Sequence, residues 1–353
     1  MRRESTKVLC RNVEIGGFAP ITVQSMTNTK TSDAKATIAQ IHKLEKVGCD
    51  IVRIAIPDME AAEAIKEIKE NTNIPLVADI HFDYRLALAA IENGIDKIRL
   101  NPGNIGSEER VKQVVDACKF KNIPIRIGVN SGSVGREILK KYEGKVTVDA
   151  LIESAMEHVN ILEKYNFDQI VVSIKASTTT MTIEANRKIA KLMPYPLHIG
   201  VTEAGTTYRG TIKSAVGIGT LLSEGIGDTI RVSLTGDVEE EVNVGKEILR
   251  SLGLLKDRIE IVSCPTCGRT RIDLVDIAEK VEEAIVKLDK CPKDIKIAIM
   301  GCAVNGPGEA READIGIAGG DGCAVVFKKG EVIRKVKEAE IVEALMEELK
   351  KMI

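Results

Sequence analysis

The 353-residue chain has no tryptophan and only five phenylalanines and five tyrosines, so it lacks the aromatic platforms on which proteins stack nucleic-acid bases. It also lacks an excess of either charge. Fifty lysines and arginines stand against 52 aspartates and glutamates, a formal net charge of −2, which removes the electrostatic basis for general nucleic-acid binding. No apolar run approaches the roughly 18 residues of a membrane-spanning helix, so no membrane association is expected. Arg2 and Arg3 open the chain with no apolar segment behind them. A secretory signal is therefore not expected, and the cytoplasm is the expected location. No G-x-G-x-x-G fingerprint opens a helix, and NPGNIGS fits a turn, which argues against direct binding of a nicotinamide dinucleotide.

What is present is ordinary in bulk and specific in arrangement. Hydrophobic residues make up 44% and charged residues 29%, enough apolar material for a sizeable core. From Ile21 to Leu252 one pattern repeats eight times: a short β-rich apolar run, then a longer stretch of helical periodicity. The runs are ITVQSM, IVRIAI, PLVADI, KIRLN, PIRIGVN, QIVVSIKA, LHIGV and TIRVSL. Strict alternation implies parallel strands with right-handed crossovers. Eight units predict a (β/α)8 TIM barrel over residues 1–255, with an open doubly wound sheet as the alternative. Ahead of it, KVLCRNVEIGG reads as a hairpin that would cap the barrel floor. Residues 256–353 change character and read as a small α/β domain: strand RIEIVS, a helix over 274–288, strands KIAIMG and DIGIAG, a hairpin CAVVFKKGEVIRKV and a terminal helix.

In such a barrel, chemistry gathers where strands end and βα loops begin. The polar residues fall there: Arg53 on the second strand, Asp79 and His81 on the third, Arg99 and Asn101 on the fourth, Arg126 and Asn130 on the fifth. Lys175 follows on the sixth, Thr202 and Glu203 after the seventh, and Arg231 and Ser233 on the eighth. Five cations converging on one mouth would repel and lose hydration. Only Asp79 and Glu203 are placed to balance them, so a polyanionic ligand is expected, a diphosphate by the match of arginine forks to phosphate oxygens. The bland reading is an internal salt-bridge layer. Glu203 is the leading acid–base candidate and Asp79 the second. Of the histidines, His42, His158 and His198 read as surface or packing residues, and only His81 sits at a strand end.

The eight cysteines, in an expected reducing compartment, are thiols or ligands before they are disulfides. Five are scattered: Cys10, Cys49, Cys118, Cys291 and Cys323. SCPTCGRT places Cys264 and Cys267 at C-x2-C spacing, which signals metal or redox chemistry without choosing between them. GCAVNGPGEA puts Cys302 in a glycine-rich loop that lets backbone approach a bulky cluster, with Glu309 as fourth candidate ligand. A zinc site completed by Cys291 or Cys323 is the alternative.

Taken in order, QSMTNT, VRIA, ADIHFD, RLNPGN, RIGVNSGS, SIKAS, GVTEAG and RVSL, followed by CPTCGRT and GCAVNGPGEA, resemble the bacterial 4-hydroxy-3-methylbut-2-enyl diphosphate synthases of the methylerythritol phosphate pathway. The likeness runs nearly end to end, in the compact two-domain form. It implies reductive dehydration of 2-C-methyl-D-erythritol 2,4-cyclodiphosphate, with the ring opened and one oxygen lost as water. It further implies a [4Fe–4S] cluster on Cys264, Cys267, Cys302 and Glu309. By the same resemblance, Arg53, Arg99, Arg126, Lys175, Arg231 and Ser233 would hold the diphosphate, helped by Asn101 and Asn130. Glu203 would deliver protons near the departing oxygen, with Asp79 nearby. Electrons would come from ferredoxin or flavodoxin, and a head-to-tail homodimer would set each cluster domain over its partner's barrel. Three rivals remain at this point: a pterin- or folate-type barrel with a structural cluster, a Schiff-base aldolase using Lys175, and an iron–sulfur electron carrier.

Overall fold

Eight runs rich in valine and isoleucine, residues whose branched side chains suit a pleated surface, form the barrel of the first unit. A short antiparallel hairpin, β1 (Val8–Cys10) and β2 (Val13–Ile15), precedes them. The barrel strands are β3 (Thr22–Met26), β4 (Ile51–Ala55), β5 (Leu76–Asp79), β6 (Lys97–Arg99), β7 (Ile125–Asn130), β8 (Ile170–Lys175), β9 (His198–Ile199) and β10 (Thr229–Ile230). They pair in the order β8-β7-β6-β5-β4-β3-β10-β9, all parallel. A parallel bridge between Val172 and Leu197 joins the two ends, and the Val172 N–H donates to the Pro196 carbonyl at 2.9 Å. The expected TIM barrel is therefore what forms. The structure is a computed structural model that describes residues 1–176, 178–288, 295–302 and 311–352. It divides into two units, Met1–Leu254 and Leu255–Ile353.

Between the strands run α1 (Ala34–Lys46), α2 (Met59–Glu70), α3 (Tyr84–Glu92), α4 (Glu108–Lys121), α5 (Arg136–Lys141), α6 (Val148–Lys164), α7 (Thr179–Ile189), α8 (Thr207–Ser223) and α9 (Val238–Ser251). Several begin on a side chain that accepts from the first turn, including Asp33, Asp58, Asp83, Thr147 and Thr178. Each such cap contributes about 1 kcal/mol and sets where a βα loop stops. The hairpin closes the opposite end: Val8, Cys10 and Ile15 pack on Ile51, Val77 and Val171, near the starts of β4, β5 and β8. Above this plug the interior departs from the layers of Val, Ile and Leu usual in such barrels. Gln24, Lys97, Arg126, Ser173, His198 and Thr229 are all buried. His198 feels the charges of Arg53, Lys97, Arg126 and Lys175, which come from four other strands, so it faces the barrel axis.

The second unit is one five-stranded sheet in the order β11-β12-β13-β14-β15. Strands β11 (Glu260–Ser263), β12 (Lys296–Met300) and β13 (Ile315–Gly320) are parallel, and β14 (Cys323–Lys328) and β15 (Glu331–Lys337) complete it antiparallel. Helices α10 (Leu274–Val286) and α11 (Ile341–Lys350) bury Ile277, Val281, Leu345 and Leu349 with Ile297, Ile317 and Val326 of the sheet. Gly316 has room for no side chain, since a Cβ there would lie 2.4 Å from the Phe327 ring.

One packing histidine supports the mouth. His158 on α6 accepts the Gly103 N–H at Nδ1, 3.2 Å away, and so pins the turn Pro102–Asn104 that follows Asn101. Burial, reinforced by the Arg99 charge, pushes its pKa down from 6.5 to about 4. The unfolded chain then takes up a proton that the folded one refuses, so stability is lost as pH falls from 6.5 towards 4. Wild type is expected to lose about 3 kcal/mol more than His158→Gln between pH 7 and pH 4 in urea unfolding. Parallel pH profiles would refute this assignment.

Candidate active site

The period of two along each strand turns the predicted polar residues to one interior. Asp79, at the end of β5, is the electrostatic centre: it accepts from Arg99 Nη1 at 3.1 Å and pairs with Arg53 Nη1 at 3.7 Å. Burial alone would raise its pKa, but Arg53, Arg99 and their neighbours outweigh that and hold the carboxyl below its usual range. Arg53 spends Nε and Nη2 on the Met26 sulfur, at 3.1 and 2.9 Å, and burial pushes its pKa down to about 10. Arg126 differs. It is buried, its pKa is driven well down by burial and then by Arg53 and Arg99, and its Nε and Nη2 have no partner among the described residues. Those two N–H groups form the side-on fork that matches a phosphate. Lys175, buried at the end of β8, is likewise driven down by burial, then by Arg231 and Arg126.

Two glycines make room for these cations. A Cβ at Gly128 would lie 2.6 Å from Arg99 Nε, and one at Gly200 would lie 3.0 Å from Lys175 Nζ. Asn101 uses both ends of its amide on Gly128, donating to its carbonyl at 3.0 Å and accepting from its N–H at 2.9 Å. It straps β6 to β7, and the same carbonyl also accepts Arg99 Nη2 at 2.8 Å.

Over this layer opens a cleft of about 680 Å³ whose walls include His81, Arg99, Asn101, Asn130, Thr202 and Glu203. Arg53, Asp79, Arg126, Lys175, Arg231 and Ser233 are not among its walls. Glu203 is exposed and holds φ at 54°, in the left-handed region that few residues other than glycine adopt.

The structure corrects the expected balance of charge. Among the described residues Glu203 forms no ion pair with the five cations. The second balancing carboxylate is Glu241 of α9, buried, with both oxygens 3.5 Å from Arg231 Nη2. Sequence reading missed it inside an acidic first turn, Glu239–Glu241. A signal existed: Val238, Glu241, Val242 and Gly245 share the buried stripe, and a charged residue on such a stripe needs an interior partner.

In the second unit, β11 and β12 are neighbouring parallel strands, so Cys264 and Cys302, each just past the end of its strand, lie at the same end of the sheet. The Gly301 N–H points at Cys264 Sγ, 3.1 Å away. Thr270 Oγ1 accepts the Cys267 N–H at 3.2 Å, and the Thr270 N–H returns to the Cys267 carbonyl at 3.0 Å, which closes the turn that follows the C-x2-C segment. Cys267 is exposed, and Cys264 and Cys302 are half-buried. Among the described residues no three His, Cys, Asp or Glu side chains converge to hold a single metal ion. Glu309 and Cys291 lie outside the described residues.

Known proteins match both units. A family model described as the GcpE TIM-barrel domain covers residues 5–246, and one described as the GcpE protein C-terminal domain covers residues 260–351. The chain is 63% identical over 345 residues to a Clostridium perfringens protein named 4-hydroxy-3-methylbut-2-en-1-yl diphosphate synthase (flavodoxin), with 98% of each chain covered. A Fusobacterium nucleatum protein of the same name is 61% identical, covering 100% of this chain and 98% of its own. Among solved structures, dihydropteroate synthase from Stenotrophomonas maltophilia aligns with a TM-score of 0.52 at 15% identity, over 70% of this chain and 98% of that one. That likeness is one of barrel fold alone.

Replacing Asp79 with Asn removes the charge from the one carboxylate that Arg53 and Arg99 share. The expected loss is about 3–5 kcal/mol of unfolding free energy, as for other broken buried ion pairs. Urea titration measures it, and a loss below about 1 kcal/mol would show that the cations do not depend on Asp79.

Proposed function

The chain belongs to the GcpE family of 4-hydroxy-3-methylbut-2-en-1-yl diphosphate synthases, and from that membership we infer the reaction, the cofactor and the roles of individual residues. The reaction is the reductive opening of 2-C-methyl-D-erythritol 2,4-cyclodiphosphate to 4-hydroxy-3-methylbut-2-enyl diphosphate. Two electrons and two protons enter, and one oxygen leaves as water. The observation that carries the substrate assignment is the orphaned fork of Arg126 amid five cations and two buried carboxylates. A diphosphate supplies both the acceptors and the charge that this layer lacks. In this reading Arg53, Arg99, Arg126, Lys175, Arg231 and Ser233 hold the diphosphate, and Asn130 borders it. Asn101 keeps β6 and β7 in register beneath it. Glu203, projecting into the cleft from a left-handed turn, delivers protons near the departing oxygen. Asp79 stays ionised and aims Arg53 and Arg99.

The donor set of the second unit suits a [4Fe–4S] cluster. The Gly301 N–H aimed at the Cys264 sulfur is the kind of amide-to-sulfur hydrogen bond that tunes such clusters. Cys264, Cys267 and Cys302 would hold it, with Glu309 as fourth ligand. The cluster would supply electrons one at a time from an external flavodoxin or ferredoxin, and the relatives' names point to flavodoxin. Helix α9 runs antiparallel to the strands and ends on the barrel face opposite the cleft. The family resemblance is what supports a head-to-tail homodimer in which the cysteine domain of one chain serves its partner's cleft. Among the described residues no helix is long and apolar enough to cross a membrane, and we place the enzyme in the cytoplasm.

Two measurements test this. Anaerobic purification with iron and sulfide assays should find a four-iron cluster, and a zinc site without iron would sink the cofactor assignment. Arg126→Met should weaken binding of inorganic pyrophosphate by at least about a hundredfold in calorimetry, since buried charge pairs contribute several kcal/mol. Unchanged affinity would remove the substrate reading.

A further inference from the structure

Glu241 is the buried carboxylate that the diphosphate reading leaves without a role, and the inference below rests on that reading. Its best bonds go to partners that cannot move: Oε1 accepts the Leu234 N–H at 3.0 Å, and Oε2 accepts the Ser25 hydroxyl at 3.0 Å. Ser25 lies on β3, Leu234 follows β10 and Glu241 itself lies on α9, so three elements fix the carboxylate. Arg231 Nη2 reaches its two oxygens only at 3.5 Å, and Arg231 Nε is buried with no partner among the described residues. Arg231 is thus held loosely by a rigid anion on one side and is unsatisfied on the other. Arg53 also senses Glu241, and Lys175 does too, so the carboxylate tempers three of the five cations.

The chemistry of the substrate gives that tempering a purpose. In a cyclic diphosphate each phosphorus carries one ionisable oxygen, whereas ring opening yields a terminal phosphate with one more. A layer of cations alone would therefore bind product more tightly than substrate, and release would limit turnover. We infer that Glu241 is a positioning residue that acts through Arg231, fixing one arm of the guanidinium and holding down the site's affinity for diphosphate so that product leaves.

Glu241→Gln keeps the shape and an oxygen for the Leu234 N–H while removing the charge. In the holoenzyme it should bind inorganic pyrophosphate about tenfold more tightly than wild type, with KM and kcat both lowered and product inhibition strengthened. Glu241→Asp, which keeps the charge but draws it back by one methylene, should tighten binding less. In an Arg231→Met background the effect of Glu241→Gln should shrink to a small part of its size, the remainder coming from Arg53 and Lys175. Ser25→Ala removes one of Glu241's anchors but no charge, so it should lower Tm and move pyrophosphate affinity by less than about twofold. Unchanged or weaker binding by Glu241→Gln overturns the inference, as does an equal shift without Arg231 or a tenfold shift in Ser25→Ala. Wild-type enzyme that fails to bind pyrophosphate overturns the diphosphate reading instead, so the two failures are separable.

Discussion

Mutual repulsion among Arg53, Arg99, Arg126, Lys175 and Arg231 is the constraint around which the barrel mouth is built. Two unit charges about 7 Å apart repel by roughly 2 kcal/mol at an effective dielectric near 20, and Arg53, Arg126 and Lys175 each feel at least two of the other cations. Burial adds a desolvation cost, visible in the lowered pKa values of Arg53, Arg126 and Lys175. The protein offsets part of this with Asp79 and Glu241 and part with the soft sulfur of Met26 under Arg53. It leaves the rest unrelieved at Arg126. An interior that stores unrelieved positive charge is complementary to a polyanion before any ligand arrives.

The barrel makes that arrangement possible because every strand end opens on the same face. The hairpin plugs the far end with Val8 and Ile15, so the polar layer has a hydrophobic floor. Gly128 and Gly200 hollow the wall where guanidinium and ammonium groups must lie. Asn101 straps β6 to β7 and His158 holds the turn after β6, each by bonds to backbone. The second unit repeats the same principle on a smaller scale. Parallel pairing of β11 with β12 puts Cys264 and Cys302 at the same end of the sheet, which no hairpin could do.

Much of this was legible beforehand. The eight strands, the hairpin and the α/β tail follow from periodicity, and Arg99 with Asn101 follow from their spacing of two. The roles within the layer were less legible. Asn101 looked like a ligand-binding amide and proves to be engaged at both ends with Gly128. Glu203 looked like a counter-charge and stands exposed in a left-handed turn. His198 looked like an ordinary packing residue and lies among four cations at the barrel axis.

By itself the sequence determined the order of strands and helices, the face on which each strand residue lies and the spacing of Cys264 and Cys267. Those are local properties, set by side-chain sterics and by a repeat of two or 3.6 residues. Only the tertiary structure decided which charges meet. Asp79 reaches Arg53 and Arg99 because β4, β5 and β6 lie side by side, and Glu241 reaches Arg231 because α9 folds back over β3 and β10. Electrostatic energy depends on distance through space, and a chain closed into a barrel brings together residues that its linear order keeps far apart.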